Sequence, residues 1–163
     1  MKWMCLPHSV KPIVRKWLIE MEDVTRQLRR GQLKTIEWQG LIESLLSRVD
    51  LNDLLAAIDF DRLAKAAVFP EDHESAEELK FSRTKGLPKN LSFIPFFYAM
   101  KKGTAIVPHG HRNMTSMHMM LKGQAHGWQF ERVADEAQYL TIKPTNDSVQ
   151  ETGAVTTVSD QKE

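Results

Sequence analysis

Gly103–Gly123 reads GTAIVPHGHRNMTSMHMMLKG, and the reading of the whole chain turns on it. The stretch holds three of the six histidines, with His126 close behind. His109 and His111 are separated by a single residue. In an extended strand, side chains two apart project from one face, so this spacing predicts two imidazoles converging on one point. Two neutral imidazoles on one face are donors that suit a first-row transition metal.

The intervals extend beyond the histidine pair. Five residues separate Gly103 from His109-Gly110-His111, four separate His111 from Ser116, and six separate Ser116 from Gly123. This pattern resembles the first signature motif of the cupin superfamily, in which a glycine, a His-x-His pair, a glutamate and a second glycine recur at such intervals. Ser116 stands where the family's glutamate ligand would be. That departure, together with the Met114-Thr115 pair, is similar to the thiol dioxygenases (cysteine, cysteamine and plant cysteine oxidases), which lack the glutamate and hold iron with three histidines. The resemblance is close over this segment and loose over the second half of the chain. It implies a jelly-roll fold, Fe(II) or another divalent metal, and a small thiol and dioxygen as substrates. His109 and His111 are then metal ligands, and Ser116 and His118 shape the catalytic cavity.

His118 admits three roles: third metal ligand, a group orienting the substrate, or a polar core residue bonded to a neighbour. Taking Ser116 as inward-facing, strand alternation puts His118 and Met120 on its side, with Met114, and turns Met117 and Met119 the other way. His126, on the following strand, lines the cavity or caps its rim. Arg112 and Arg132 are the candidates to anchor a substrate carboxylate. In the family the third histidine comes from a much later strand. Gly153–Asp160 looks like the approach to that second motif, yet Glu163 arrives before a histidine. The expectation is therefore a jelly roll incomplete at its C-terminal end, completed by a longer chain or by strands from a second subunit.

Composition narrows the other classes. At 163 residues the chain can bury a core, as one domain or a domain with an appendage. With 22 Lys+Arg against 21 Asp+Glu, no broad field draws nucleic acid or an anionic membrane. Arg26, Arg29 and Arg30 sit among acids without interleaved aromatics and read as a solvated helix end. The lone Cys5 excludes an internal disulfide and fits a reducing compartment. Neither a signal peptide nor a membrane span is evident, so the expected location is cytoplasmic.

The chain divides into a helical segment (1–70), an acidic linker (71–78) and a cupin-like β-barrel (79–163), an α+β arrangement. Ile13, Val14, Trp17, Leu18, Met21, Val24 and Leu28 predict a first helix, stopped at Gly31. Leu33, Ile36, Leu41, Ile42, Leu45, Leu46 and Val49 predict a second. Leu54, Leu55, Ile58, Leu63, Ala66 and Ala67 predict a third, ending at Phe69-Pro70. These stripes read as core, or as a homodimer surface alongside the barrel edge. In the linker, His73 reads as a bystander. LKFSRT, LSFIPFFYAM (with Pro95 at an edge or bulge), TAIVP, MTSMHMML, AHGWQFERV and AQYLTIKP then alternate as antiparallel strands, and Thr145-Asn146-Asp147 reads as a turn. The functional expectation is a non-haem iron dioxygenase converting a small thiol to a sulfinate. The alternatives are a non-catalytic or degenerate cupin serving as a small-molecule or metal-binding module or scaffold, and a cupin enzyme acting on a carbon substrate.

Overall fold

The structure, a computed structural model, describes residues 12–71, 73–79, 81, 86–111 and 114–159. It is α+β. Four helices, α1 (Pro12–Arg29), α2 (Thr35–Leu46), α3 (Leu51–Ala57) and α4 (Phe60–Ala66), precede six strands. These are β1 (Ser75–Glu78), β2 (Phe96–Ala99), β3 (Ser116–Met119), β4 (Gln124–Asp135), β5 (Leu140–Glu151) and β6 (Val155–Val158). They pair antiparallel as β1–β2, β3–β6 and β4–β5, and the described residues form no closed barrel. The chain falls into two compact units: Met1–Gln32 with Arg48–Pro108, and Leu33–Ser47 with His109–Glu163. No helix among the described residues is long and apolar enough to cross a membrane.

In the first unit, α1 starts on a proline, whose missing N–H costs nothing at that position. It ends in a Schellman motif at Gly31: Gly31 N–H donates to Leu28 C=O and Gln32 N–H to Gln27 C=O, both at 2.9 Å. Gly31 takes φ +68° there, so the predicted stop is where the backbone needs a glycine. Val14, Leu18 and Met21 are buried along one stripe, and Glu22 and Thr25 share it. The Glu22 carboxylate is not stranded: it accepts from Ser92 N–H at 2.7 Å and from the Ser92 hydroxyl at 3.0 Å.

The third predicted helix is two. Asp50 caps α3 by accepting from Asp53 N–H at 2.9 Å. The chain then breaks at Asp59, which adopts φ +53° and accepts from Arg62 Nε at 2.7 Å before α4 begins. Aspartate is one of the few residues that visit this left-handed region, so the apolar stripe runs on while the helix does not. Leu54, Ala57, Ile58 and Leu63 remain core, as do Leu79, Phe81 and Ala99.

β1 lies inside the acidic stretch, and the Ser75 hydroxyl ties its start to Val68 C=O at 2.7 Å. Leu79 N–H continues the ladder to Pro95 C=O at 2.8 Å, so Pro95 sits just before β2, where its lack of a donor does no harm. Phe97 meets Phe60 edge to face at 6.1 Å. Of LKFSRT, only Leu79 and Phe81 lie within the described residues. TAIVP forms no strand, with Ile106 and Val107 exposed: β propensity is a preference for a pleated, half-buried surface and does not by itself make a strand.

The second unit is built on one bent hairpin. Ser116↔Val158 to Met119↔Val155 form its outer pairing, and Gln124↔Glu151 to Asp135↔Leu140 its inner one. Met120 N–H donates to Ala154 C=O at 2.9 Å and Gly153 N–H to Met120 C=O at 2.7 Å, so the ladder continues into the corner. Three residues, Leu121–Gly123, oppose two, Thr152 and Gly153, and this mismatch turns the ladder. Gly123 and Gly153 both take φ +91° there. Thr145-Asn146-Asp147 is not a turn. It lies within β5, where the register slips between Asn146 and Pro144 because proline cannot donate to the ladder. The true turn follows Asp135, closed by Glu136 N–H to Tyr139 C=O at 2.9 Å.

α2 covers one face of the outer pair. Trp38, Ile42, Leu45 and Leu46 are buried, while Ile36 and Leu41 of the predicted stripe are exposed. Gln39 Oε1 accepts from the Ser159 hydroxyl at 3.1 Å and Glu43 Oε1 accepts from Thr157, fixing α2 to β6 and the residue after it.

Two stability predictions follow from these contacts. Glu22→Ala leaves the Ser92 donors unanswered and lowers the unfolding free energy by about 1–3 kcal/mol in urea titration. Gly153→Ala costs about 1–2 kcal/mol although open space surrounds its Cβ, because the strain lies in the backbone. A Gly153→Ala midpoint equal to the parent's would remove the corner from the account.

Candidate functional site

The register of β3 against β6 decides which side chains meet. Directly paired residues point to the same face, so Met117, Met119, Val155 and Thr157 share one side of the pair. Thr157 is bound by α2, so that side is the covered one. Ser116 and His118 project to the other side. Met117 and Met119 thus face away from the histidines, as alternation predicts.

His109 and His111 reach this face from a loop, not from the strand that the sequence predicts. A backbone hydrogen bond from Met114 N–H to His111 C=O at 3.2 Å bends the chain back, and Ser116 follows two residues later. The Ser116 hydroxyl then lies 3.0 Å from His111 Nδ1. The rings of His109 and His111 stack with centroids 5.0 Å apart, and His118 meets His111 edge-on at 6.5 Å. His111 is therefore the centre of the cluster. It is half-buried, as is Ser116, while His109 and His118 are exposed. The predicted closed barrel interior is not formed among the described residues, whose strands pair only as three two-stranded sheets.

Burial of its ring, and then the positive charge of His111 and His109 when protonated, lower the His118 pKa from its ordinary 6.5. The residue as a whole remains solvent-exposed, so water screens part of that effect. The direction favours neutral imidazole at neutral pH, the form in which histidine donates to a metal.

A cation shared by two imidazoles, with bonds of about 2.1 Å, sets their centroids about 4.5–5.5 Å apart. His109 and His111 stand at that separation but with their rings stacked 23° from parallel, and the His111–His118 separation is about 1 Å beyond it. Among the described residues, no group of three or more His, Cys, Asp or Glu is arranged to hold a metal.

His126 lies elsewhere on the hairpin. On β4 it stacks on Trp128, with centroids 4.1 Å apart and planes 11° from parallel, and its Nε2 is 2.5 Å from Asp147 Oδ1. Trp128 and Asp147 went unrecognised in the sequence because Asp147 was assigned to a turn; the alternation of His126 and Trp128 was the available signal. Arg132 is held by the Asp135 carboxylate at the exposed turn end of β4–β5. Arg112 and Cys5 lie outside the described residues. His73 is exposed and belongs to the first unit, whereas His109, His111 and His118 belong to the second.

Comparison with family models, with curated proteins and with solved structures found no match to this chain.

The His118 shift fixes a pH dependence. Just below pH 6.5 the unfolded chain protonates His118 while the folded chain resists, so the unfolded state binds more protons and stability falls as pH drops. Above that value both states hold it neutral and the contribution disappears. Between about pH 7.5 and about pH 5.5 the parent should therefore lose more Tm than His118→Gln. Equal losses in thermal melts followed by circular dichroism would remove His118 as the cause.

Proposed function

We propose that this chain is a metal-dependent, cupin-like protein whose activity is oxygenation of a small thiol to a sulfinate. The observation that carries the reading is the gathering of His109, His111 and His118 on one face of β3–β6, within the glycine-to-glycine spacing of the cupin motif. The nested pairing supports the jelly-roll part of the reading. An outer strand pair enclosing an inner hairpin, bent at a glycine corner, is how a long hairpin wraps into two sheets.

Iron(II), when bound, supplies a Lewis-acidic centre with positions open to a thiol sulfur and to dioxygen. His109 and His111 would hold it, and His118 would serve as the third imidazole or orient the substrate. Lowered basicity keeps the His118 ring neutral, so it presents a lone pair or an N–H instead of a repelling charge. Ser116, in place of a carboxylate, adds no negative charge to the donor set. The balance is one thiol and one dioxygen giving one sulfinic acid, with both oxygen atoms on sulfur. A cytoplasmic setting, where thiols stay reduced, fits this chemistry and the lone Cys5.

A second reading is a non-catalytic or degenerate cupin that binds a metal or small molecule, or acts as a scaffold. The 6.5 Å separation of His111 and His118 favours it, because the third imidazole then falls short of a shared ion.

The test is the metal content of the chain purified without an affinity metal, beside His109→Ala/His111→Ala. Near-stoichiometric iron in the parent, lost in the variant and joined by thiol-dependent oxygen uptake, is the expected result. Iron without oxygen uptake selects the non-catalytic reading. A chain that stays metal-free after anaerobic iron(II) loading would end the metal proposal.

A further inference from the structure

We propose that Ser116 is a positioning residue: its hydroxyl accepts the Nδ1–H of His111, which makes Nε2 the ligating nitrogen of that ring. The inference rests on the metal reading for its purpose, but its geometry stands on the described contacts alone. The Ser116 hydroxyl is 3.0 Å from His111 Nδ1, and both residues are half-buried. Neither end of the contact is loosely held. Ser116 opens β3 and pairs with Val158, and the Met114–His111 backbone bond fixes the approach of the preceding segment.

A neutral imidazole carries its proton on one nitrogen, and the hydrogen bond made there sets which nitrogen keeps a lone pair. Metal-ligating histidines are commonly oriented in this way, through a partner on the non-ligating nitrogen. Ser116 therefore replaces a ligand with a support. A carboxylate at this position would add a charge and a fourth donor; a hydroxyl on Nδ1 adds neither and fixes the ring that the other two histidines contact. His111 is that ring, 5.0 Å from His109 and 6.5 Å from His118.

Two measurements on the full chain test the proposal. Long-range nitrogen–proton correlation spectra of metal-free, nitrogen-15-labelled protein above the histidine titration range read the tautomer directly. The expected result is His111 protonated on Nδ1 in the parent and in Ser116→Thr, shifting toward the Nε2–H tautomer in Ser116→Ala. An Nε2–H tautomer in the parent means that Ser116 donates instead, and overturns the proposal even if Ser116→Ala fails to fold. The second measurement is anaerobic cobalt(II) titration followed by visible absorption. Ser116→Ala should bind about 10–100-fold more weakly than the parent, with Ser116→Thr restoring most of the loss. Equal affinity in parent and Ser116→Ala overturns the positioning role. Failure of the parent to take up cobalt(II) counts against the metal reading alone, because the tautomer result has already decided the part played by Ser116.

Discussion

The second unit depends on a single antiparallel ladder that survives a corner. Strand pairing needs backbone donors and acceptors in step, and a sharp bend ordinarily breaks that step. Here Met120 donates to Ala154 and accepts from Gly153, so pairing continues to the edge of the bend. One extra residue on the β3–β4 side absorbs the change of direction, and two left-handed glycines allow it. The orientation of Ser116 and His118 follows from this arrangement. The outer pair is held in a register that sends Ser116 and His118 to one side and Met117 and Met119 to the side that α2 covers.

The cluster on that side has a hierarchy. His111 touches Ser116 through one ring nitrogen, stacks on His109 and meets the edge of His118. Three imidazoles this close repel one another when protonated, and burial adds to that cost at His118. The same two effects that disfavour charge preserve the lone pairs a cation would use. Electrostatics and ligation therefore ask for the same protonation state, which is why a histidine cluster reads as a metal site more readily than a carboxylate cluster of similar size.

Much of this was legible in the residues, and what was not has physical causes. Period and stop signals located α1 and its end at Gly31, because an apolar stripe and a left-handed glycine leave unambiguous marks. The same stripe misled at Asp59, where core residues continue across a helix break that only backbone conformation reveals. Alternation placed Ser116 and His118 together and set Met117 and Met119 opposite, since the period of a strand is two whatever the strand pairs with. Thr145-Asn146-Asp147 has turn chemistry yet lies in β5, because proline at 144 needed a bulge and turn-prone residues also suit a bulge. TAIVP has strand propensity without a strand, because propensity alone does not decide pairing. Spacing predicts His109 and His111 as neighbours on one strand face, but that strand does not form; they come together from a loop, which spacing does not reveal.

The nested pairing also sets the loop-closure cost of each strand pair. Pairs beside the Glu136–Tyr139 turn close the shortest loop, and each added pair then extends an existing ladder at little further entropic cost. The Ser116↔Val158 end encloses the longest loop, and direct closure there, before the inner ladder exists, is the most expensive route. Zipping outward from the turn passes Gly123 and Gly153 before it reaches Ser116. The hydroxyl and the imidazole of His118 would then come into line among the last parts of the ladder, after the scaffold beneath them had set.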